Sequence, residues 1–222
     1  MDKKLYMVSL GPGDIDLLTI KALESLKNCE AICVPTKSSD HSFKKSMTKK
    51  IIDKLFVKYN FNKDLIPVYT PMHFKKEDWQ YQVDIIQDTL KKYNKVCFIT
   101  LGDAAVYSTV YYLLDIIKVQ DKSLYDNCEV IAGVTSFSNA SARVKKPLCM
   151  GDSKFEIIPL LDKDIPSTKI YMRPKIGFDT SVLPSSNSFY TFENLNYDFE
   201  KITPKKIEKT TKYMTLFIDF YS

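Results

Sequence analysis

Leu5-Tyr6-Met7-Val8-Ser9-Leu10 is a short, nearly continuous apolar run that ends at Gly11-Pro12-Gly13-Asp14. A run of this length closed by chain breakers predicts a buried strand. Beyond the break, Ile15, Leu18, Ala22 and Leu26 recur three to four residues apart, the spacing of one helix face. The same unit then repeats. Ala31-Ile32-Cys33-Val34-Pro35 predicts a strand, followed by a helix carrying Phe43, Met47, Ile51 and Leu55. Leu65 to Tyr69 predicts a third strand, followed by a helix with Trp79, Val83, Ile86 and Leu90. Val96 to Leu101 predicts a fourth strand, broken at Gly102-Asp103, after which Tyr107, Val110, Tyr111 and Leu114 take helical spacing. Cys128 to Ala132 closes the series before Gly133. Strands alternating with helices predict an α/β domain with a mainly parallel sheet.

After Gly151 the pattern changes. Phe155 to Leu160, Lys169 to Met172, Ser188 to Phe192 and Tyr213 to Phe220 read as strands, with one weak helix candidate at Phe178 to Leu183. Pro147 and the Cys149-Met150-Gly151-Asp152 turn have the texture of a linker. The division expected is an N-terminal α/β domain over 1–133 and a C-terminal mixed α/β domain over 134–222.

Composition narrows the function classes. In 222 residues, 45% are hydrophobic and 27% charged, with no run long and apolar enough for a membrane span. The N-terminus enters a strand without the apolar stretch of a signal peptide, which predicts a cytoplasmic address. Five cysteines, odd in number and with no CxxC pair, read as free thiols, mostly buried. The net charge of +5 favours anionic ligands, but the lysines are dispersed and form no nucleic-acid stripe. His41 and His73 are the only histidines and lack ligand spacing, so no protein-bound metal is expected.

With only six glycines, their placement is informative: Gly11, Gly102 and Gly133 each follow a predicted parallel strand. Ligands of open α/β sheets bind outside the carboxyl ends of the strands, where glycine lets backbone approach them. Each loop also has a plain structural reading. Asp14 or Asp16, Asp103, and Thr135 or Ser136 are all suited to capping the next helix. A nicotinamide fingerprint is disfavoured because Asp16 stands where a third glycine is required, and no GxxxxGK[ST] loop occurs.

In order and spacing, Leu10-Gly11-Pro12-Gly13-Asp14, Gly102-Asp103-Ala104 and Ala132-Gly133-Val134-Thr135-Ser136 resemble the three glycine loops of the tetrapyrrole methylase family. The residues that follow two of them, Val106-Tyr107-Ser108-Thr109 and Thr135-Ser136-Phe137-Ser138, resemble the group in that family acting on C20 of precorrin-2 or cobalt-factor II. Ala140, Ala142, Arg143, Pro147-Leu148 and the closing segment Tyr213 to Phe217 extend the likeness.

The resemblance implies a fold of two α/β domains, a parallel sheet in the first and a mixed sheet in the second, with a cleft between them. It also implies a homodimer, S-adenosylmethionine as methyl donor and an anionic tetrapyrrole as acceptor, with neither nucleic acid nor membrane as partner. Carried over by position, the cofactor contacts are Pro12, Leu101, Gly102, Asp103, Val106, Thr135, Ser136 and Met172, and Leu195 to Tyr197 would form a further wall. Three positions depart from the family pattern: its proline after Gly-Asp is Ala104, its proline before the later glycine is Ala132, and its usual lysine after Met172 is Arg173.

Asp103 is the candidate for a polar contact to the cofactor's methionine end, or for charge complementarity to its sulfonium. Tyr107 is the candidate substrate-facing hydroxyl, with a core role open beside it. The lysines from Lys37 to Lys54, with Arg143 and Arg173, are available to acceptor carboxylates. Two alternatives remain: the same fold with a different acceptor (another corrin position, a diphthine-type protein or ribosomal RNA), or a non-catalytic module that binds the cofactor or a tetrapyrrole.

Overall fold

The computed structural model describes residues 3–71, 75–151, 154–157, 168–172, 174–184, 186–194, 199–213 and 215–220. The chain divides into two compact units, Met1–Phe155 and Glu156–Ser222. Segment 134–155, expected in the second domain, is therefore grouped with the first. Helix α6 (Ser136–Val144) lies in this segment, and Phe137 on it meets Phe155 with ring centroids 5.5 Å apart.

The first unit is built on five strands: β1 (Lys4–Ser9), β2 (Ala31–Thr36), β3 (Asp64–Tyr69), β4 (Lys95–Thr100) and β5 (Cys128–Ile131). All pairings are parallel, in the order β3-β2-β4-β1-β5. Helices α1 (Ile20–Asn28), α2 (Met47–Tyr59), α3 (Lys76–Lys92), α4 (Val110–Gln120) and a short α5 (Lys122–Asp126) connect them. The strands are apolar on both faces because both faces are covered. Val8, Cys97, Ile99, Ile32 and Val34 pack with Ala22, Leu26, Ile51, Ile52 and Leu55 of α1 and α2. Leu5, Met7, Phe98 and Val96 pack on the other face with Val83, Ile86, Val110, Leu113 and Ile117 of α3 and α4. Phe98 is fully buried in the second cluster, where truncation to Ala would cost roughly 3–5 kcal/mol.

This topology places the ligand edge. From β1 to β3 the chain moves toward one edge of the sheet with α1 and α2 on one face. From β3 to β5 it moves back with α3 and α4 on the opposite face, as a constant crossover hand requires. Neighbouring strands β1 and β4 thus send their connections to opposite faces, and the point between their carboxyl ends is the topological switch point.

Three helix starts differ from the periodicity reading: Phe43 lies ahead of α2, which starts at Met47 behind its N-cap Ser46. Ile15 and Leu18 do not lie in α1: Ile15–Leu17 forms a separate 3-10 turn capped by Asp14, and Thr19 caps α1 by accepting from the Ala22 N–H at 3.2 Å. Tyr107 does not lie in α4, which starts at Val110.

The second unit holds a four-stranded sheet in the order β6-β9-β7-β8, with β6 at Lys169–Tyr171, β7 at Phe189–Glu193, β8 at Lys201–Thr203 and β9 at Thr215–Asp219. Where a mixed sheet is the sequence expectation, each described ladder is antiparallel. Phe189 and Phe217 are buried on it with centroids 5.9 Å apart. The helix candidate at Phe178 to Leu183 is a 3-10 turn, Thr180–Val182. Residues 154–157 form no strand, and the rest of the strand expected up to Leu160 lies outside the described residues.

Among the described residues no helix is long and apolar enough to cross a membrane. The cysteines are all free: Cys29, Cys33 and Cys97 are buried, Cys128 is half-buried and Cys149 is exposed.

Candidate active site

The three glycine loops meet at the switch point. Gly11 and Gly102, after β1 and β4, exchange two backbone hydrogen bonds: the Gly11 N–H donates to the Gly102 carbonyl at 3.0 Å, and the Gly102 N–H to the Gly11 carbonyl at 2.8 Å. The loop after β5 presses against both. A Cβ on Gly133 would stand 2.6 Å from the Ser9 Cβ, 2.8 Å from the Gly102 carbonyl oxygen and 3.5 Å from the Gly11 nitrogen. Gly133 is thus required for space. Gly102 is required for conformation, since its φ is +73° while a Cβ there would meet nothing within 4 Å. Backbone that borders open space without side chains is a surface to which a ligand can come close.

The loop after β4 is folded by its own polar groups. Asp103 does not cap α4: its carboxylate accepts from the Ala105 N–H at 3.0 Å, and its carbonyl accepts from the Val106 N–H at 3.1 Å, making a tight turn over 103–106. The Ser108 hydroxyl lies 3.1 Å from that of Thr100 and accepts from the Val110 N–H at 3.3 Å. Between these anchors Tyr107 has a φ of 49° and is 73% exposed, which sets aside the core role. A bulky side chain in left-handed backbone is uncommon and concentrates at functional sites. Leu101 is 46% exposed on the same loop, while Pro12 and Val106 are half-buried. Burial chiefly, and then the Asp103 carboxylate, raises the Tyr111 hydroxyl above its ordinary pKa.

After β5, Thr135 is the N-cap of α6: it accepts from the Ser138 N–H at 3.3 Å, with the two hydroxyls 2.7 Å apart. Ser136 is exposed at the helix start. The Arg143 guanidinium on α6 comes within 3.8 Å of the Asp14 carboxylate in the first loop, an exposed pair worth little energy.

Residues 4–175 match the family model described as tetrapyrrole (corrin/porphyrin) methylases. The chain belongs to this family. It is 30% identical, over 97% of its length and 95% of the relative's, to the probable cobalt-precorrin-2 C(20)-methyltransferase of Methanocaldococcus jannaschii. It is also 30% identical, over 71% of its length and 64% of the relative's, to the cobalt-precorrin-2 C(20)-methyltransferase of Salmonella typhimurium. In fold it is similar to a protein of Corynebacterium diphtheriae described as cobalamin synthesis related, with a TM-score of 0.56 at 13% identity and coverage of 98% of both chains.

In this tetrapyrrole methylase, Pro12, Leu101, Gly102, Asp103, Val106, Tyr107, Thr135 and Ser136 all belong to the three loops that meet at the switch point. Met172 lies in the second unit just after β6 and is 70% exposed. Arg173 and Leu195 to Tyr197 lie outside the described residues. Among the described residues no group of three His, Cys, Asp or Glu side chains is placed to hold a metal ion. Sequence reasoning passes over Ser9. It is buried, and its hydroxyl accepts from the Ala104 N–H at 2.9 Å, tying the loop after β4 to the end of β1. The one small polar side chain in the apolar run from Leu5 to Leu10 is the signal that marks it.

Proposed function

We propose that this chain is an S-adenosylmethionine-dependent C-methyltransferase that methylates C20 of precorrin-2 or cobalt-factor II in cobalamin biosynthesis. The observation that carries the proposal is the meeting of the three family loops at one switch point. The two relatives named for C20 methylation extend it to the acceptor. Both bear the cobalt-precorrin name, which favours the cobalt-containing acceptor, the metal being part of the substrate.

The donor supplies a methyl group on a sulfonium, displaced as a neutral leaving group, so the protein's task is positioning. Gly102 leaves backbone free to approach the donor, Gly133 lets the loop after β5 close against Ser9 and Gly102, and the hydroxyls of Thr135 and Ser136 offer polar contacts. Pro12, Leu101 and Val106 supply apolar walls, and Met172 is the contact assigned to the second unit. Asp103 places a carboxylate that complements the sulfonium charge. Tyr107 directs a hydroxyl toward the acceptor, where a weak proton acceptor is enough, because C20 is already electron-rich and loses a proton after methylation. Lysines between Lys37 and Lys54 and Arg143 receive acceptor carboxylates. The enzyme acts in the cytoplasm as a homodimer.

A second reading changes the acceptor position. It is favoured by a 24% identical relative, the probable cobalt-precorrin-7 C(5)-methyltransferase of Methanocaldococcus jannaschii, matched over 92% of the chain. Separate incubations of isotopically labelled donor with metal-free precorrin-2, cobalt-factor II and cobalt-precorrin-7, with the product read by NMR, decide between them. Label at C20 is expected. Label at another carbon would support the second reading, and donor binding without transfer to any corrin precursor would overturn both.

A further inference from the structure

Ala104 is only 1% exposed, so its N–H is cut off from water and needs a partner within the protein. That partner is the hydroxyl of Ser9, the last residue of β1, itself 1% exposed and 95 residues away in sequence. In the turn closed by the Val106 N–H on the Asp103 carbonyl, Ala104 is the second residue, the position at which proline is favoured. A proline there would stiffen the turn and have no N–H to satisfy. Alanine lacks that stiffness and carries the donor.

We propose that Ser9 is a positioning residue of the donor site: by holding the Ala104 amide it fixes the Gly102–Val106 turn, the task that a proline at 104 would perform without a hydrogen bond. The two solutions exclude each other. A proline Cδ projects where the amide hydrogen now points and would run into the Ser9 Oγ. The space needed for the ring opens only when the Ser9 side chain is removed. Ser9 and Ala104 therefore form one device, and the effects of changing them are expected to be strongly non-additive.

The inference rests on the donor-binding reading above, so its test has one readout that needs no ligand. Amide hydrogen exchange over residues 101–108 and the dissociation constant for S-adenosylmethionine are measured for the unchanged protein, Ser9→Ala, Ser9→Gly, Ala104→Pro, and the double variant Ser9→Gly/Ala104→Pro. Ser9→Ala leaves a buried donor unpaired and is expected to speed exchange in the loop selectively and to weaken donor binding about tenfold. Ala104→Pro with Ser9 retained is expected to be at least as harmful. The double variant is expected to return to within about threefold of the unchanged protein in binding, with loop protection restored.

Single effects that simply multiply in the double variant would overturn the proposal. So would faster exchange spread equally over β1 to β5, which would make Ser9 an ordinary core residue. If Ala104→Pro does not fold alone, Ser9→Ala and the double variant still decide. If the unchanged protein binds no S-adenosylmethionine, the functional reading falls while the exchange pattern still tests the lock. Normal donor binding with no coupling sinks the lock alone.

Discussion

Gly133 is set so tightly against Ser9 that a Cβ at 133 would stand 2.6 Å from the Ser9 Cβ, with the Gly102 carbonyl oxygen only 2.8 Å away on another side. Neither obstacle is the end of a flexible side chain, so relief requires movement of β1 or of the loop after β4. Gly133→Ala is expected to destabilise the protein by about 1–3 kcal/mol through overpacking. Gly102→Ala meets open space, and its cost is left-handed strain of about 1–2 kcal/mol. Asn at 102 should recover part of that cost because it tolerates the left-handed region, whereas Asn at 133 should recover nothing. Urea unfolding of the four variants separates the two reasons for having glycine. Equal behaviour of the Ala and Asn variants at both sites would contradict the distinction.

Asp103 has a structural task and a proposed electrostatic one, and two substitutions tell them apart. Its carboxylate accepts from the Ala105 N–H at 3.0 Å, a bond that an amide oxygen can also accept. Asp103→Asn is therefore expected to keep stability within about 0.5 kcal/mol while weakening donor binding about tenfold through loss of charge. Asp103→Ala should lose both. Titration calorimetry with S-adenosylmethionine, run beside thermal unfolding, gives the comparison. An Asn variant that binds as well as the unchanged protein would confine Asp103 to shaping the turn.

Tyr107 stands 73% exposed at a φ of 49° on a loop held at both ends. Its ring buries little, so Tyr107→Phe should leave stability unchanged. If its hydroxyl serves the acceptor, kcat falls about tenfold or more while donor affinity is unmoved. Tyr107→Gly should relieve up to about 1 kcal/mol of backbone strain and still lose turnover. A gain in stability accompanied by a loss of rate would be the signature of strain kept for function. Unchanged kcat in Tyr107→Phe would remove the residue from the mechanism.

The first sheet was legible in the sequence because each strand is an apolar run closed by a glycine, proline or charged residue. Scarcity of glycine did the rest: Gly11, Gly102 and Gly133 mark three loops that the sheet order brings together. Periodicity failed where local polar bonds govern the chain. Tyr107 and Val110 have helical spacing, yet the Asp103 turn precedes Tyr107 and the Ser108 hydroxyl takes the Val110 N–H, so the helix starts only at Val110, and Asp14 and Thr19 split one expected helix into a 3-10 turn and α1. Short antiparallel strands such as Lys201–Thr203 carry too few alternating positions to stand out. The bond from Ala104 to Ser9 joins residues 95 apart and depends on β1 and β4 being neighbours, which no local pattern states.

Stability at high pH follows from the thiols. Burial pushes Cys33 from its ordinary 9.0 up to about 12, and Cys128 likewise up to about 12. A raised acid pKa means that the folded state favours the neutral thiol. The unfolded chain loses these protons first as pH rises, so folding stability is full below about pH 9 and declines between 9 and 12. Each thiol contributes about 1.4 kcal/mol per pH unit across that window. Cys33→Ala should lower stability at pH 7 by opening a small cavity beside Val68 and Phe98, yet flatten the fall above pH 9 by one thiol's share. Its unfolding curve should therefore approach that of the unchanged protein as pH rises. Parallel curves from pH 7 to 11 would show that Cys33 does not hold its proton in the way its burial demands.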